Sequence, residues 1–280
     1  TIEGNRVTTW NSVPTMILHI IEYPDLAQYD LSSLRWIGYG ASPMPAEALR
    51  KALRLIGDIF AQVYGLTETY IVTLLPKEDH ILEGPKDRVK RLHSCSKPLA
   101  GLKVRVVNEQ GKNVVTGEVG EIIVKGDSVT QGYWKLPEET AKTIKGGWLY
   151  TGDLATIDNE GYIYIIDRKK ELIFSGGENI SPREVEEVIY QHPSVFEAAV
   201  IGVPDENWIE AVKAVVALKE GRTATEEEII AFCKRNLARF KAPKSVDFVD
   251  SLPKTASGKI ARKELKGKYR TGSMDRSIRP

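Results

Sequence analysis

The sequence predicts an α/β layer that passes into an antiparallel β-subdomain and then into a small α+β domain. Three observations carry this reading. A strand–helix–strand order lies near the start, short β-runs divided by turn signals begin at about residue 101, and two N-capped helices alternate with strands beyond Arg168. A chain of 280 residues suffices for two lobes, each with its own core. The expected bounds are 1–167 for the first lobe, with an α/β part at 1–100 and a β-subdomain at 101–167, and 168–280 for the second.

After a polar turn at 31–33, the run RWIGYGAS reads as a short strand leaving through Gly38 and Gly40. Pro43 and Pro45 open a helix whose apolar residues Ala46, Leu49, Ala52, Leu53 and Ile56 recur at helical spacing, and Gly57 ends it. DIFAQVYGLTE then reads as a strand running into a glycine turn. The loops of such a layer gather at one sheet edge, where ligands bind. The runs LKVRVV, VGEIIVK, LATI and YIYII, separated by turns such as NEQG and NEG, make the β-subdomain. Further on, Ser181, Pro182 and Glu184 read as a capping box with proline at the first helical position, Val185, Val188 and Ile189 are the buried stripe, and His192-Pro193 closes the helix. The strands EAAVIGV and AVKAVVAL, a helix capped by Thr225 and Glu228, and the strand SVDFVD complete the second lobe.

Composition narrows the function. Apolar residues make up 42% and charged residues 28%, and 39 Lys/Arg nearly cancel 38 Asp/Glu, so whole-chain charge predicts no nucleic-acid partner. The balance is uneven, because residues 234–280 hold fourteen Lys/Arg against four Asp/Glu, which sets a basic piece on an acidic body. Cys95 and Cys233 are too few for a disulfide framework and show no zinc spacing. No apolar run approaches the roughly 20 residues that span a bilayer, and the first residues have no leader pattern, so a cytoplasmic protein is expected. His19, His80, His93 and His192 are scattered and read as surface or helix-end residues, while Trp10, Val13 and Met16 read as core packing.

Four short motifs could carry chemistry. In Tyr64-Gly65-Leu66-Thr67-Glu68 the glycine lets backbone approach a ligand, Thr67 offers a hydroxyl to phosphate, Glu68 offers oxygen to a hard cation, and Tyr64 offers a flat face; a plain glycine turn reads the same five residues. The upstream Gly40-Ala41-Ser42 is a small-residue connection. In Tyr150-Thr151-Gly152-Asp153-Leu154 the aspartate, held by a glycine turn, can accept two hydrogen bonds from a vicinal diol, or simply cap a turn between strands. Asp167-Arg168-Lys169-Lys170-Glu171 lies where the β-subdomain gives way, as a hinge or a solvated linker, and Gly176 and Gly177 follow in a glycine-rich turn. Pro253 to Arg262 (PKTASGKIAR) is a small polar loop that carries Lys259; GxxxxGK[ST] is absent, so it is no P-loop.

Taken in order, YGLTE, GEVGEIIVKG with GYW, YTGDL, DRKKELI, GGENI and PKTASGKIAR resemble the later signature blocks of the ANL adenylate-forming superfamily, and within it the fatty-acid or aryl acid:CoA ligases. The resemblance implies an ATP-dependent, AMP-forming acyl-CoA ligase using Mg²⁺ and coenzyme A. It implies that Lys259 bridges carboxylate and phosphate, Thr67 binds phosphate, Glu68 binds Mg²⁺, Tyr64, Gly65 and the Gly40-Ala41-Ser42 segment bind the adenine side, and Asp153 with Arg168 holds the ribose. Lys170 falls at the hinge position, and Gly176 and Gly177 at the pantetheine tunnel. The superfamily's TSGTTGxPK-type phosphate loop and large N-terminal α/β half do not occur, so the chain reads as the C-terminal half, with an incomplete large lobe, expected to be inactive alone. Ser175 stands where many relatives have lysine, which puts one CoA contact in doubt. The resemblance leaves open a homodimer, a carrier-protein-loading enzyme, and a non-catalytic AMP-binding module of the same fold.

Overall fold

A computed structural model of the chain describes residues 1–270, so the last part of the expected basic piece, 271–280, lies outside the described residues. The chain divides into two compact units that meet between Lys169 and Lys170.

The first unit begins with β1 (Thr9–Ser12), α1 (Pro14–Ile21), β2 (Trp36–Gly40), α2 (Ala46–Ile56), β3 (Phe60–Leu66) and β4 (Tyr70–Leu75). These strands form one sheet in the order β1-β2-β3-β4, with β1, β2 and β3 parallel and β4 turning back antiparallel on β3. The helix α2 buries Ala46, Ala48, Leu49, Ala52 and Leu53, and Gly57 ends it at φ +105°, as its spacing predicts. The expected strand at Asp58–Glu68 is therefore one arm of a hairpin, and its turn is the YGLTE motif.

After α3 (Lys86–Lys90), a five-stranded antiparallel sheet is built from β5 (Lys103–Val107), β6 (Gly120–Lys125), β7 (Ile144–Lys145), β8 (Trp148–Ile157) and β9 (Ile163–Arg168), with α4 (Pro137–Thr143) between β6 and β7. Val72, Cys95, Val106, Ile122, Val124, Ala155 and Ile163 form its core, and Tyr64 packs against that core from the β3 side. The expected LATI run starts earlier than its hydrophobicity suggests. Polar Tyr150-Thr151-Gly152-Asp153 lies inside β8 and not in a turn between strands, because ladder pairing with β6 and β9 outweighs the low strand propensity of Gly and Asp.

The second unit holds β10 (Ile173–Ser175), β11 (Glu178–Ile180), α5 (Pro182–Ile189), β12 (Val195–Asp205), β13 (Ile209–Leu218), α6 (Glu226–Asn236), β14 (Ser245–Phe248) and α7 (Arg262–Arg270). The sheet runs β11-β10-β13-β12 with β14 parallel to β13. The Ser181 hydroxyl accepts the Glu184 N–H at the start of α5, and Thr225 and Glu228 form a reciprocal capping box on α6. Val185, Val188, Ile189, Ile229 and Cys233 press against the inner face of the sheet, and burial pushes the Cys233 thiol up to about 11. On the other face Leu252 and Leu265 pack on Ala199, Ile201 and Val215.

Candidate functional site

The tip of the β3–β4 hairpin is shaped by close backbone contact. A Cβ on Gly65 would lie 1.8 Å from the Tyr70 carbonyl oxygen, so only glycine fits there, and the ladder carries a bulge between Tyr64 and Gly65. Buried Thr69 ties the turn together: its Oγ1 accepts the Leu66 N–H at 3.1 Å and donates to the Tyr70 carbonyl at 3.1 Å. Thr67 is left exposed at the tip.

Glu68 is held from another direction. The Thr130 N–H donates to its carbonyl at 2.7 Å, and the Tyr133 hydroxyl donates to its Oε1 at 2.8 Å. Gly132 approaches so closely that a Cβ would lie 2.6 Å from Thr140 Cγ2, and the Tyr133 N–H donates to Thr140 Oγ1 at 2.9 Å. Among the described residues Oε2 has no hydrogen-bond partner, so this half-buried carboxylate presents one oxygen of the kind a hard cation takes. Tyr133 is a site residue that sequence reasoning missed. Its signal, an aromatic after a glycine in GYW, was legible only as part of a motif, because its partner lies 65 positions away.

Asp153 is buried and has a partner on each carboxylate oxygen. Gly152 takes φ +73° inside β8, and its N–H donates to Glu121 Oε1 at 3.0 Å. Thr151 Oγ1 accepts the Asp153 N–H at 3.1 Å and donates to the Ile122 carbonyl at 2.8 Å. This fixes the backbone on both sides of the carboxylate. Its Oδ2 accepts from the Tyr64 hydroxyl at 2.7 Å, and its Oδ1 lies 3.0 Å from Arg168 Nε. The Asp153 side chain is only 5% exposed against 48% for Arg168, so the open side of this cluster is the arginine side. Burial raises the Asp153 pKa, while the Arg168 charge and the Tyr64 hydrogen bond pull against it. The Tyr64 phenol is in turn pushed up, first by burial and then by the Asp153 charge.

Gly40 leaves β2 against β3, where a Cβ would lie 2.2 Å from the Val63 carbonyl oxygen, and Ala41 follows at φ +66°. Directly before them, Tyr39 is buried and its hydroxyl lies 2.9 Å from His80 Nε2. His80 is therefore no surface residue: it is 3% exposed. Its Nδ1 sits 2.9 Å from the Pro76 carbonyl, which accepts only, so Nδ1 carries the proton and Nε2 accepts from Tyr39. Burial lowers the His80 pKa. Met16, read as core, is 48% exposed, because α1 turns Ile17, Leu18 and Ile21 inward instead.

In the second unit Gly176 and Gly177 are the two turn residues of the β10–β11 hairpin, at φ +59° and +88°. The Gly176 N–H donates to the Trp208 carbonyl at 3.1 Å, and a Cβ on Gly176 would lie 2.5 Å from the Trp208 ring. Lys259 lies in a second small hairpin: the Thr255 N–H donates to the Lys259 carbonyl at 2.8 Å, and the Lys259 N–H donates to Thr255 Oγ1 at 3.2 Å. Within its own unit the Lys259 ammonium has no partner among the described residues. Both ends of the loop are fastened to buried acids. Lys254 Nζ lies 2.9 Å from Glu197 Oε1, off the hydrogen-bond direction, and Arg262 takes Glu186 bidentately at 2.5 and 2.7 Å while also donating to the Val200 carbonyl.

The structure thus brings Tyr64, Asp153 and Arg168 into one cluster and sets Thr67 and Glu68 on the hairpin that carries Tyr64. Lys170, Gly176, Gly177 and Lys259 belong to the second unit. Among the described residues there is no group of three or more His, Cys, Asp or Glu suited to a metal, and no helix long and apolar enough to cross a membrane.

Comparison with known proteins gives a family model described as AMP-binding enzyme over residues 1–134 and a second, AMP-binding enzyme C-terminal domain, over 184–259. The chain is similar to the medium/long-chain-fatty-acid–CoA ligase of Mycobacterium tuberculosis, at 44% identity over an alignment of 280 positions that covers 97% of this chain and 48% of that protein. Among solved structures it matches the amide bond synthetase McbA from Marinactinospora thermotolerans (TM-score 0.87, 33% identity, 96% of this chain and 53% of that one). It also matches an anthranilate CoA ligase in complex with anthranoyl-AMP (TM-score 0.86, 31% identity, 96% and 51%). The chain spans about half the length of the relatives it matches.

Proposed function

Since this chain belongs to the AMP-binding, adenylate-forming enzyme family, we propose that it supplies the nucleotide-holding hairpin, the ribose carboxylate and the mobile lysine of an acid:CoA ligase. The observation that carries the reading is Asp153: a buried carboxylate kept available by Tyr64 and Arg168, beside the hairpin that bears Thr67 and Glu68. In the first step a carboxylate oxygen attacks the α-phosphorus of ATP, and the bond to pyrophosphate breaks. In the second, a thiolate attacks the acyl carbon, and AMP leaves.

Each residue has a task that its surroundings suit. Asp153 accepts from the ribose hydroxyls, with Arg168 at its open side near ribose and phosphate. Thr67 donates to phosphate, and Tyr64, Gly65 and Gly40-Ala41-Ser42 form the adenine side. Mg²⁺ would rest on Glu68, whose Tyr133-oriented carboxylate offers the hard oxygen it prefers, and would neutralise phosphate charge. Lys259 meets the charge that develops between carboxylate and phosphate. Lys170, at the division between the units, is the hinge residue. Gly176 and Gly177 let coenzyme A approach backbone.

The acid is fatty or aryl: the M. tuberculosis relative is named for fatty acids and the anthranilate ligase for an aromatic one. The buried thiols of Cys95 and Cys233 suit a reducing, cytoplasmic setting, and a homodimer is the assembly to test first. The test is acid-dependent exchange of pyrophosphate into ATP by the whole protein with a panel of fatty and aryl acids, followed by competition between CoA and a holo-carrier protein. Exchange together with CoA consumption is expected; nucleotide binding without exchange overturns the reading. The 280-residue chain alone is expected to show little turnover.

A further inference from the structure

We propose that Tyr64 is a positioning residue for nucleotide selection, whose hydroxyl orients Asp153 so that one acceptor site on each carboxylate oxygen faces a vicinal diol. The inference rests on the reading of Asp153 as the ribose carboxylate and goes beyond it, because that reading uses Tyr64 only as a flat face for the base.

The argument is an inventory. An ionised carboxylate has about four acceptor sites, two on each oxygen. Tyr64 takes one on Oδ2 at 2.7 Å, and Arg168 takes one on Oδ1 at 3.0 Å. Among the described residues no other group hydrogen-bonds these oxygens, so one site remains on each. Two sites on two oxygens of one planar group match two hydroxyls on adjacent carbons, and a lone hydroxyl uses only half of them.

The two holders differ in kind. Arg168 is half exposed, and its charge can move to a phosphate without leaving a buried group behind. Tyr64 is fixed: its ring packs against the core beneath β8, and its position along β3 is set by the bulge at Gly65. Thr151 and Gly152 fix the Asp153 backbone but reach neither carboxylate oxygen. Carboxylate rotation is therefore controlled by Tyr64 alone whenever Arg168 swings away. With phenylalanine at this place the ring remains and the carboxylate can turn, so the pair of acceptor sites is no longer presented together.

The test measures binding of AMP, 2′-deoxyAMP and 3′-deoxyAMP to the whole protein that contains this chain by equilibrium dialysis, for the native sequence, Tyr64→Phe and Asp153→Asn. The native chain is expected to prefer AMP over either deoxynucleotide by about tenfold or more, as for hydrogen bonds to a charged group. Tyr64→Phe should lower that ratio several-fold, and Asp153→Asn should abolish it. A variant that folds poorly loses all three nucleotides in proportion and leaves the ratio intact, so the ratio reports orientation and not stability. If Asp153→Asn abolishes the preference while Tyr64→Phe keeps it, the positioning role is overturned and the ribose reading stands. If Asp153→Asn keeps the preference, or the whole protein binds no AMP, the ribose reading falls and this proposal with it.

Discussion

The Asp153 cluster of the first unit and the Lys259 loop of the second hold their charged groups in opposite ways. Asp153 is gripped at the side chain: both oxygens have protein partners and almost none of it meets solvent. Lys259 is held at the backbone, with Lys254 and Arg262 fastening the loop ends to buried Glu197 and Glu186, while within its own unit its ammonium has no partner among the described residues. A group that reads a fixed shape gains from having its orientation settled beforehand. A group that must meet charge appearing on a reacting centre gains from a firm base and a free end.

The sharpest way to break this contrast is to neutralise the Lys259 ammonium. Lys259→Gln in the whole protein should slow acyl-adenylate formation about 10²–10³-fold and leave thiol transfer from a supplied acyl-adenylate nearly unchanged. Pyrophosphate release and single-turnover thioester formation measure the two steps separately. Equal loss in both would assign the lysine to general charge balance.

Weakening the base should act on stability first. Arg262→Ala strands the buried Glu186 carboxylate, and its cost should be about 3 kcal/mol of unfolding free energy, read from the chemical denaturation midpoint. Replacing both partners with apolar residues should recover most of it. A single variant costing under about 0.5 kcal/mol would show that the loop is held elsewhere.

On the gripped side, Gly65→Ala forces a Cβ against the Tyr70 carbonyl and should cost on the order of 2 kcal/mol while moving Tyr64 off Asp153. Loss of AMP binding out of proportion to the loss of stability is the expected signature. The smallest effect lies behind Tyr39. The His80 pKa is lowered by burial, so the unfolded chain binds the extra proton more readily. Stability from this group is present above the unfolded value near 6.5 and lost as pH falls below it toward the folded value. Denaturation midpoints from pH 7.5 to 5 should decline for the native chain, and the slope should be shallower in His80→Gln.

Much of the local architecture was legible in the residues themselves. The proline-opened α2 with Gly57 behind it, the Thr225–Glu228 cap and the paired glycines of the β10–β11 turn rest on neighbours a few positions apart. Other elements were not legible for equally physical reasons. The strand β4 is bent by Tyr70 at φ +56° and carries no turn signature, α4 is short and buries nothing, and α7 is so rich in Lys and Arg that its one buried leucine, Leu265, gives no periodic stripe. His80 ends the helical turn Lys77–Asp79, in line with the helix-end reading, but its burial was not legible because its partners are a tyrosine 41 positions earlier and one carbonyl.

The sequence by itself determined which residue types are at hand for nucleotide chemistry and in what order, because turn geometry, caps and motif spacing act within a few residues. Only the tertiary structure decided that Tyr64 answers to Asp153 across 89 positions, that Tyr133 steadies Glu68, and that Glu186 anchors Arg262. A hydrogen bond is made or lost within a fraction of an ångström, and packing between sheets and helices, which no local pattern encodes, sets distances to that precision.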